Sequence, residues 1–343
     1  AAANDTTGTD AGHVRVFEES GGTWTQVGAN IDGEAASDYF GWSVAIDGDY
    51  AIIGAQLEDH DASGANELSK AGSAYIFKRS GTTWTQETKL VASDRGADDQ
   101  FGWSVSINGD YAIVGAAWEE EDASGANPLT KAGAAYIFRR SGTTWIQESK
   151  IAAGVRKISD NFGRSVDISG GYTIVGARYE DEDVDDVNPV SASGSAYIFE
   201  RPAIGPETTL SETSIAKQFI YDTGGYTDAM FSEGSETQSI RLSSDGLAMA
   251  LGDGNYSSNN GRLYYYERSS ISGTFTKTHT FDAVSSGLEF GASVDMNAAK
   301  TRIAISGSDA DNSAANAGRV YIYDRASTSA SWPSSPTATI TPP

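Results

Sequence analysis

Phe101-Gly102-Trp103-Ser104-Val105-Ser106-Ile107-Asn108-Gly109-Asp110-Tyr111-Ala112-Ile113-Val114-Gly115-Ala116 decides the fold of this chain. Val105 and Ile107 alternate with small polar residues, which sets both on one face of a strand. Asn108-Gly109 then predicts a tight hairpin turn, because both residue types tolerate positive φ. Tyr111 to Val114 reads as the returning strand, ended by Gly115-Ala116. The same wording recurs from Phe40 to Ala55 and from Phe162 to Ala177, with starts 61 residues apart. Weaker copies stand at Ser239 to Gly252, without the Phe-Gly start, and at Phe290 to Met296, which keeps it.

A second stretch repeats in step with the first. Ala134 to Phe138 predicts a third strand, recurring at Val14 to Phe17, Ala74 to Phe77 and Ala196 to Phe199, and in drifted form at Leu263 to Tyr266 and Val320 to Tyr323. A fourth strand is marked by Trp24, Trp84 and Trp145, and by Phe275 and Trp332 in the drifted copies. Four antiparallel strands repeated at a period above about 40 residues are the sequence signature of a β-propeller. One such quartet is apolar on both faces and hides neither alone; stacking quartets around a centre buries both. The Phe/Tyr and Trp positions are accordingly expected to pack between blades. Gly54, Gly115 and Gly176 fall where backbones must approach closely.

The expected fold is all-β: a β-propeller of four-stranded blades with five full repeats, their hairpins starting near residues 40, 101, 162, 238 and 290. An N-terminal half blade precedes them, and a six- or seven-bladed ring would need missing or neighbouring chain. One propeller domain is expected over 1–332, interrupted by an insertion at 201–237. Residues 333–343, rich in Ser, Thr and Pro, read as a tail or linker.

Phe-Gly-x-Ser-Val, Gly-Asp-Tyr-Ala-Ile-Val-Gly-Ala and Gly-x-Ala-Tyr-Ile-Phe together resemble the FG-GAP repeat of integrin-alpha-type β-propellers. The resemblance runs along nearly the whole chain and implies a propeller acting in adhesion or recognition. Fold alone does not assign an activity.

Composition narrows the partners. The 343 residues carry 24 Lys+Arg against 47 Asp+Glu, a formal charge of −23, so nucleic acid and anionic membranes are unfavourable partners. No run of 18 apolar residues exists to insert into a membrane, and no cysteine exists to form a disulfide. Ala1-Ala2-Ala3 fits the remnant of a signal-peptide cleavage site. Asn4-Asp5-Thr6 and Asn255-Tyr256-Ser257 are N-glycosylation sequons, which together point to a secreted or cell-surface protein.

Acidic loops follow the second strands: Glu58-Asp59-His60-Asp61, Glu119-Glu120-Glu121-Asp122, Glu180 to Asp186, and Asp309-Ala310-Asp311. Calcium takes six to eight oxygens, and carboxylates at alternate loop positions supply several. The resembling family carries Asp-x-Asp-x-Asp-Gly calcium loops at this place. Asp59 with Asp61, Asp309 with Asp311, and Asp181, Asp183 and Asp185 match it in part, each without the following Gly; the alternative is a solvated acidic rim. Asp38, Asp99 and Asp160, two residues before each Phe, suit backbone-bonding turn residues.

Trp118 and Tyr179, directly after second strands, are either interface anchors or side chains folded onto their own blades. Catalysis lacks residues: three His (His13, His60, His279), no Cys and no Gly-x-Ser-x-Gly. The expectation is a non-catalytic extracellular adhesion or structural module, binding a protein or glycan through rim loops and capable of self-assembly. A lectin-like propeller and a polysaccharide-active enzyme are the alternatives.

Overall fold

The computed structural model describes residues 8–20, 23–180, 194–200, 215–218, 239–253, 260–270, 273–284, 290–307 and 318–340. Strands and loops make up all of them, and no helix among them is long and apolar enough to cross a membrane. The chain divides into two compact units, Ala1–Ile168 and Ser169–Pro343.

The first unit opens on the half blade. Its two strands are each broken in two: β1 (His13–Val14) pairs β4 (Ile31–Asp32), and β2 (Phe17–Ser20) pairs β3 (Thr23–Gln26). The first full blade is β5 (Ser43–Asp47), β6 (Tyr50–Ala55), β7 (Ser73–Ser80) and β8 (Thr83–Leu90). The second is β9 (Phe101–Asn108), β10 (Tyr111–Ala116), β11 (Ala134–Ser141) and β12 (Thr144–Ile151). Both are antiparallel in chain order.

Hairpin turns fall one residue later than Asn108-Gly109 suggests. Asn108 stays in the ladder opposite Tyr111, and Gly109, at φ +59°, takes the first turn position where a positive φ suits glycine. Gly48 does the same between Asp47 and Tyr50.

The first unit ends on β13 (Phe162–Ser169); in the second, β14 (Tyr172–Ala177), β15 (Ser195–Glu200) and β16 (Ile215–Gln218) pair antiparallel in chain order. β16 lies within the expected insertion and supplies its irregular fourth strand; the rest of 201–237 is outside the described residues. The fourth blade is β17 (Ile240–Leu242), β18 (Ala248–Asp253), β19 (Arg262–Glu267) and β20 (Thr276–Asp282). The fifth is β21 (Phe290–Met296), β22 (Arg302–Gly307), β23 (Arg319–Asp324) and β24 (Ala338–Ile340).

β24 corrects the reading of 333–343 as a linker: Ile340 pairs Val320 and Ala338 pairs Ile322. Trp332 is buried but lies before this strand, not on it. Pro333 and Pro336 cannot donate to a ladder, so pairing resumes only where the Thr337 amide reaches the Ile322 carbonyl.

Cores lie between blades, as alternation requires. Ile52, Ile76 and Leu90 of the first blade pack with Val105, Ile107, Tyr136, Phe138 and Trp145 of the second. Ile31 of the half blade packs with Phe40, Ile53, Tyr75 and Phe77. In the second unit Tyr265 and Phe281 pack with Phe290, Tyr321 and Trp332.

Backbones interlock at the second-strand glycine. Ser43 Oγ donates to the Gly102 carbonyl at 2.9 Å, and a Cβ on Gly54 would sit 2.1 Å from that oxygen. Ser104, Gly163 and Gly115 repeat the arrangement, as do Ser239, Gly291 and Gly252 in the second unit.

Candidate interaction surface

Before each Phe-Gly of the first unit the chain alternates into the left-handed region. Tyr39, Gln100 and Asn161 have φ of 57°, 57° and 55°, and Gly41, Gly102 and Gly163 follow at 86°, 91° and 86°. Non-glycine residues persist there only when their surroundings enforce it. Here the Tyr39, Gln100 and Asn161 amides bond the carbonyls of Asp10, Lys70 and Lys131. The residue after each Phe-Gly is thereby fixed: Trp42, Trp103 and Arg164.

These residues build an aromatic row. Tyr39 and Trp42 meet edge to face at 6.1 Å, and Trp42 and Trp103 at 5.4 Å. Trp103 stacks on Trp118 at 6.5 Å with 25° between planes. All four rings are half-buried. The Arg164 guanidinium stands 3.9 Å from the Trp103 ring centre and the Lys131 ammonium 3.7 Å from that of Trp118. Each such cation–ring contact contributes about 0.5–2 kcal/mol. In a chain this acidic, the row is a local combination of apolar area and positive charge. Sequence reasoning singled out Trp118 but missed Trp42 and Trp103, although their place after Phe-Gly was the available signal. Tyr179, in the second unit, is half-buried under the Arg178 guanidinium at 4.7 Å.

Beneath three of the acidic loops the first glutamate, Glu58, Glu119 or Glu180, is buried, which corrects the picture of a wholly solvated rim. Glu58 accepts from Tyr75 Oη at 2.5 Å, from Lys89 Nζ at 2.6 Å and from the His60 amide at 2.8 Å. Glu119 accepts from Tyr136 Oη at 2.7 Å, and Lys150 Nζ stands 3.2 Å away. Glu180 accepts from Tyr197 Oη, and Lys217 lies opposite Tyr197 in the ladder, as Lys89 does opposite Tyr75. The recurring Glu-to-Tyr spacing of 17 residues was the unread signal.

Burial alone would raise the Glu58 pKa, but the Lys89 ammonium, the Tyr75 hydroxyl and the His60 amide outweigh it and hold it below the ordinary value. Glu119 is lowered against its own burial by Glu121, Lys150 and Tyr136. The neighbouring aspartates bear the opposite shift. Burial and then the Glu58 charge push Asp38 up to about 7. Burial and then the Glu119 charge push Asp99 up to about 8. Asp99 Oδ2 accepts from the Gly96 amide at 2.5 Å and Asp160 Oδ2 from the Lys157 amide at 2.7 Å, the turn-bonding role expected of them.

Of the residues considered for calcium, Asp59 accepts the Lys70 amide at 2.7 Å. Asp61 accepts the Ser63 amide at 2.8 Å, the Ser63 hydroxyl at 2.6 Å, the Ala65 amide at 3.1 Å and the Asn66 side-chain amide. Asp122 closes its loop identically through Ser124, Ala126 and Asn127. These donors hold both aspartates below their ordinary pKa. Among the described residues no group of three or more His, Asp or Glu is placed to hold a metal. Asp181, Asp183, Asp185, Asp309, Asp311 and the sequons at Asn4 and Asn255 lie outside the described residues.

Four-stranded blades joined by Ser–Gly interlocks, with acidic loops after their second strands, define a β-propeller protein. The FG-GAP repeat profile matches residues 27–77, 84–138 and 145–199, each span running from the end of one blade to the third strand of the next. The chain thus carries three FG-GAP repeats, consistent with the FG-GAP repeat β-propeller family, whose propellers point to protein interaction and whose repeats are typical of extracellular or cell-surface proteins. No curated protein matches the chain.

Proposed function

We propose that this chain is a non-catalytic adhesion or structural interaction module of an extracellular or cell-surface protein, and that it binds a polypeptide partner through the row Tyr39, Trp42, Trp103 and Trp118. The observation carrying this reading is that half-exposed row with Arg164 and Lys131 set on its rings. Aromatic and Arg side chains are the residues that dominate interface energies. The part-exposed Lys131 ammonium favours a partner segment that brings apolar side chains together with a carboxylate.

Presenting the purified chain to immobilised extracellular proteins and to a glycan array tests the reading. A protein signal lost in Trp103→Ala/Trp118→Ala, with the melting temperature little changed, supports it. A signal indifferent to both substitutions overturns it. Binding confined to the glycan array would favour the lectin-like reading, in which ring faces stack on sugars.

Calcium belongs to the proposal for the acidic loops. Asp59 is the better-placed ligand among the described aspartates, since both oxygens of Asp61 already accept loop donors. Calorimetric titration with calcium chloride, repeated on Asp59→Asn, tests this: heat lost in the variant supports it.

A further inference from the structure

The fifth blade starts its outer strand late. Residues 331–337 form no strand, since Pro333 and Pro336 cannot donate to a ladder, and β24 begins only at Ala338. Between this detour and β20 of the fourth blade lies a cleft of about 390 Å³. Small-ligand pockets run from about 300 to 1,000 Å³, so this one suits a ligand at the small end. Its floor is aromatic: Phe281 and Tyr323, both buried, meet edge to face at 4.7 Å. Pro333, half-buried, adds an apolar wall.

Polar groups around that floor are uncommitted. Tyr323 is 1% exposed and stands where the first three full repeats carry Phe77, Phe138 and Phe199. Phenylalanine serves the packing at those places; the hydroxyl added here has no hydrogen-bond partner among the described residues. The same holds for the hydroxyls of Thr280, Ser334 and Ser335 and for the His279 ring nitrogens, all at the cleft. Charge there is balanced. Asp282 is the carboxylate of the lining, and Arg262 pairs with it at 2.5 Å. Burial holds the His279 pKa below its ordinary value against the Asp282 charge, so the imidazole is neutral and offers one donor and one acceptor. A lining without net charge, in a chain of formal charge −23, gives an anion nothing to pair with.

The geometry points to a saccharide site: the cleft between β20 and Pro333–Ser335 takes one neutral monosaccharide unit. Such a ligand has the two chemistries the cleft offers to match. Its C–H face lies on the side of Phe281 and Pro333, and its hydroxyls meet Tyr323, Thr280, His279, Ser334 and Ser335. The buried hydroxyl of Tyr323 supplies selectivity, because a ligand without a matching group leaves it unpaired. This site lies within the second unit and depends neither on the aromatic row of the first nor on its polypeptide partner.

Saturation-transfer NMR on the 343-residue protein tests it, with glucose, galactose, mannose, fucose and N-acetylglucosamine as probes and glucuronate as the anionic control. At least one neutral sugar is expected to bind with a Kd on the order of 1 mM, ordinary for so small a ligand. Glucuronate should bind about tenfold more weakly. Tyr323→Phe restores the side chain of the earlier repeats, so its melting temperature should not fall while sugar affinity drops about threefold to tenfold. Ser334→Trp, at an exposed position, fills the cleft and should abolish binding. Trp103→Ala/Trp118→Ala should leave binding unchanged. No transfer to any of the five neutral sugars overturns the proposal, as does transfer undiminished in either Tyr323→Phe or Ser334→Trp. Glucuronate bound as tightly as the neutral sugars overturns it too. Binding lost with the two tryptophans assigns the sugar to the row instead, and likewise overturns it.

Discussion

Ser104 Oγ donates a 2.8 Å hydrogen bond to the carbonyl of Gly163, and a Cβ on Gly115 would stand 2.0 Å from that same oxygen. The hydroxyl and the missing side chain act on one atom: the first holds two blades together, the second lets them approach. Their consequences under mutation differ in size. Ser104→Ala loses one hydrogen bond and leaves the carbonyl less satisfied, a cost of about 1 kcal/mol. Gly115→Ala sets a methyl against backbone that cannot rotate away, an overpacking cost of about 1–3 kcal/mol or more. Urea unfolding of both variants checks the ordering, and a Gly115→Ala milder than Ser104→Ala contradicts the interlock.

Much of this architecture was legible because period and composition coincide. The Phe-Gly starts, the alternation of Val105 and Ile107, and the Tyr-Ile-Phe strands each encode a local geometry that the blade then uses unchanged. What escaped reading depended on the third dimension. Glu58 and Asp61 stand in one acidic run, yet one is buried on Tyr75 and Lys89 and the other closes an exposed loop. Charge alone does not distinguish them; the partners at Tyr75 and Lys89 do, and those are distant in sequence. Trp42 and Trp103 were missed because the row forms only when neighbouring blades bring their starts together. Ala338 to Ile340 hid in a Ser/Thr/Pro-rich segment because an edge strand needs no alternating apolar face.

Lys89 and Glu58 should behave as a buried pair. Lys89 is 9% exposed and Glu58 1%, so Lys89→Met leaves a carboxylate in a low-dielectric site with its tyrosine and amide donors but no cation. Losing one partner of a buried pair costs about 3–5 kcal/mol. Adding Glu58→Gln to Lys89→Met should recover part of that loss, since the uncompensated charge goes with it. A double-mutant cycle by chemical denaturation measures the coupling. Additive losses would show that the two side chains do not act as a pair.

Asp122→Ala should loosen its loop without weakening the blade. The carboxylate accepts the amides of Ser124 and Ala126 as well as two side-chain donors, and all of these are local to the loop. The expected result is faster amide hydrogen exchange at Ser124 and Ala126, with protection in β10 and β11 unchanged. Protection lost across β10 would mean that the loop also supports the sheet.

Asp38 and Asp99 predict an unusual pH dependence. Their folded pKa values, about 7 and about 8, lie above the ordinary 3.8. Between those limits the folded chain therefore holds protons that the unfolded chain has released. Stability falls with rising pH wherever the folded state binds more protons. The contribution of these two groups is thus complete below about pH 4 and lost as pH rises through about 8. Glu58 and Glu119, lowered by their partners, have the opposite sign, but their contribution is lost only below the ordinary glutamate range. Glu121, pushed up to about 7 by its hydrogen bond to Glu119 and by burial, adds to the aspartates with the same sign between pH 5 and 9. Melting temperatures should decline across that window in the wild type. Asp99→Asn keeps an acceptor for the Gly96 amide while removing the titration, so its decline should be shallower and its advantage greatest at pH 9. A variant whose curve parallels the wild type throughout would show that Asp99 is already ionised in the folded chain at pH 5.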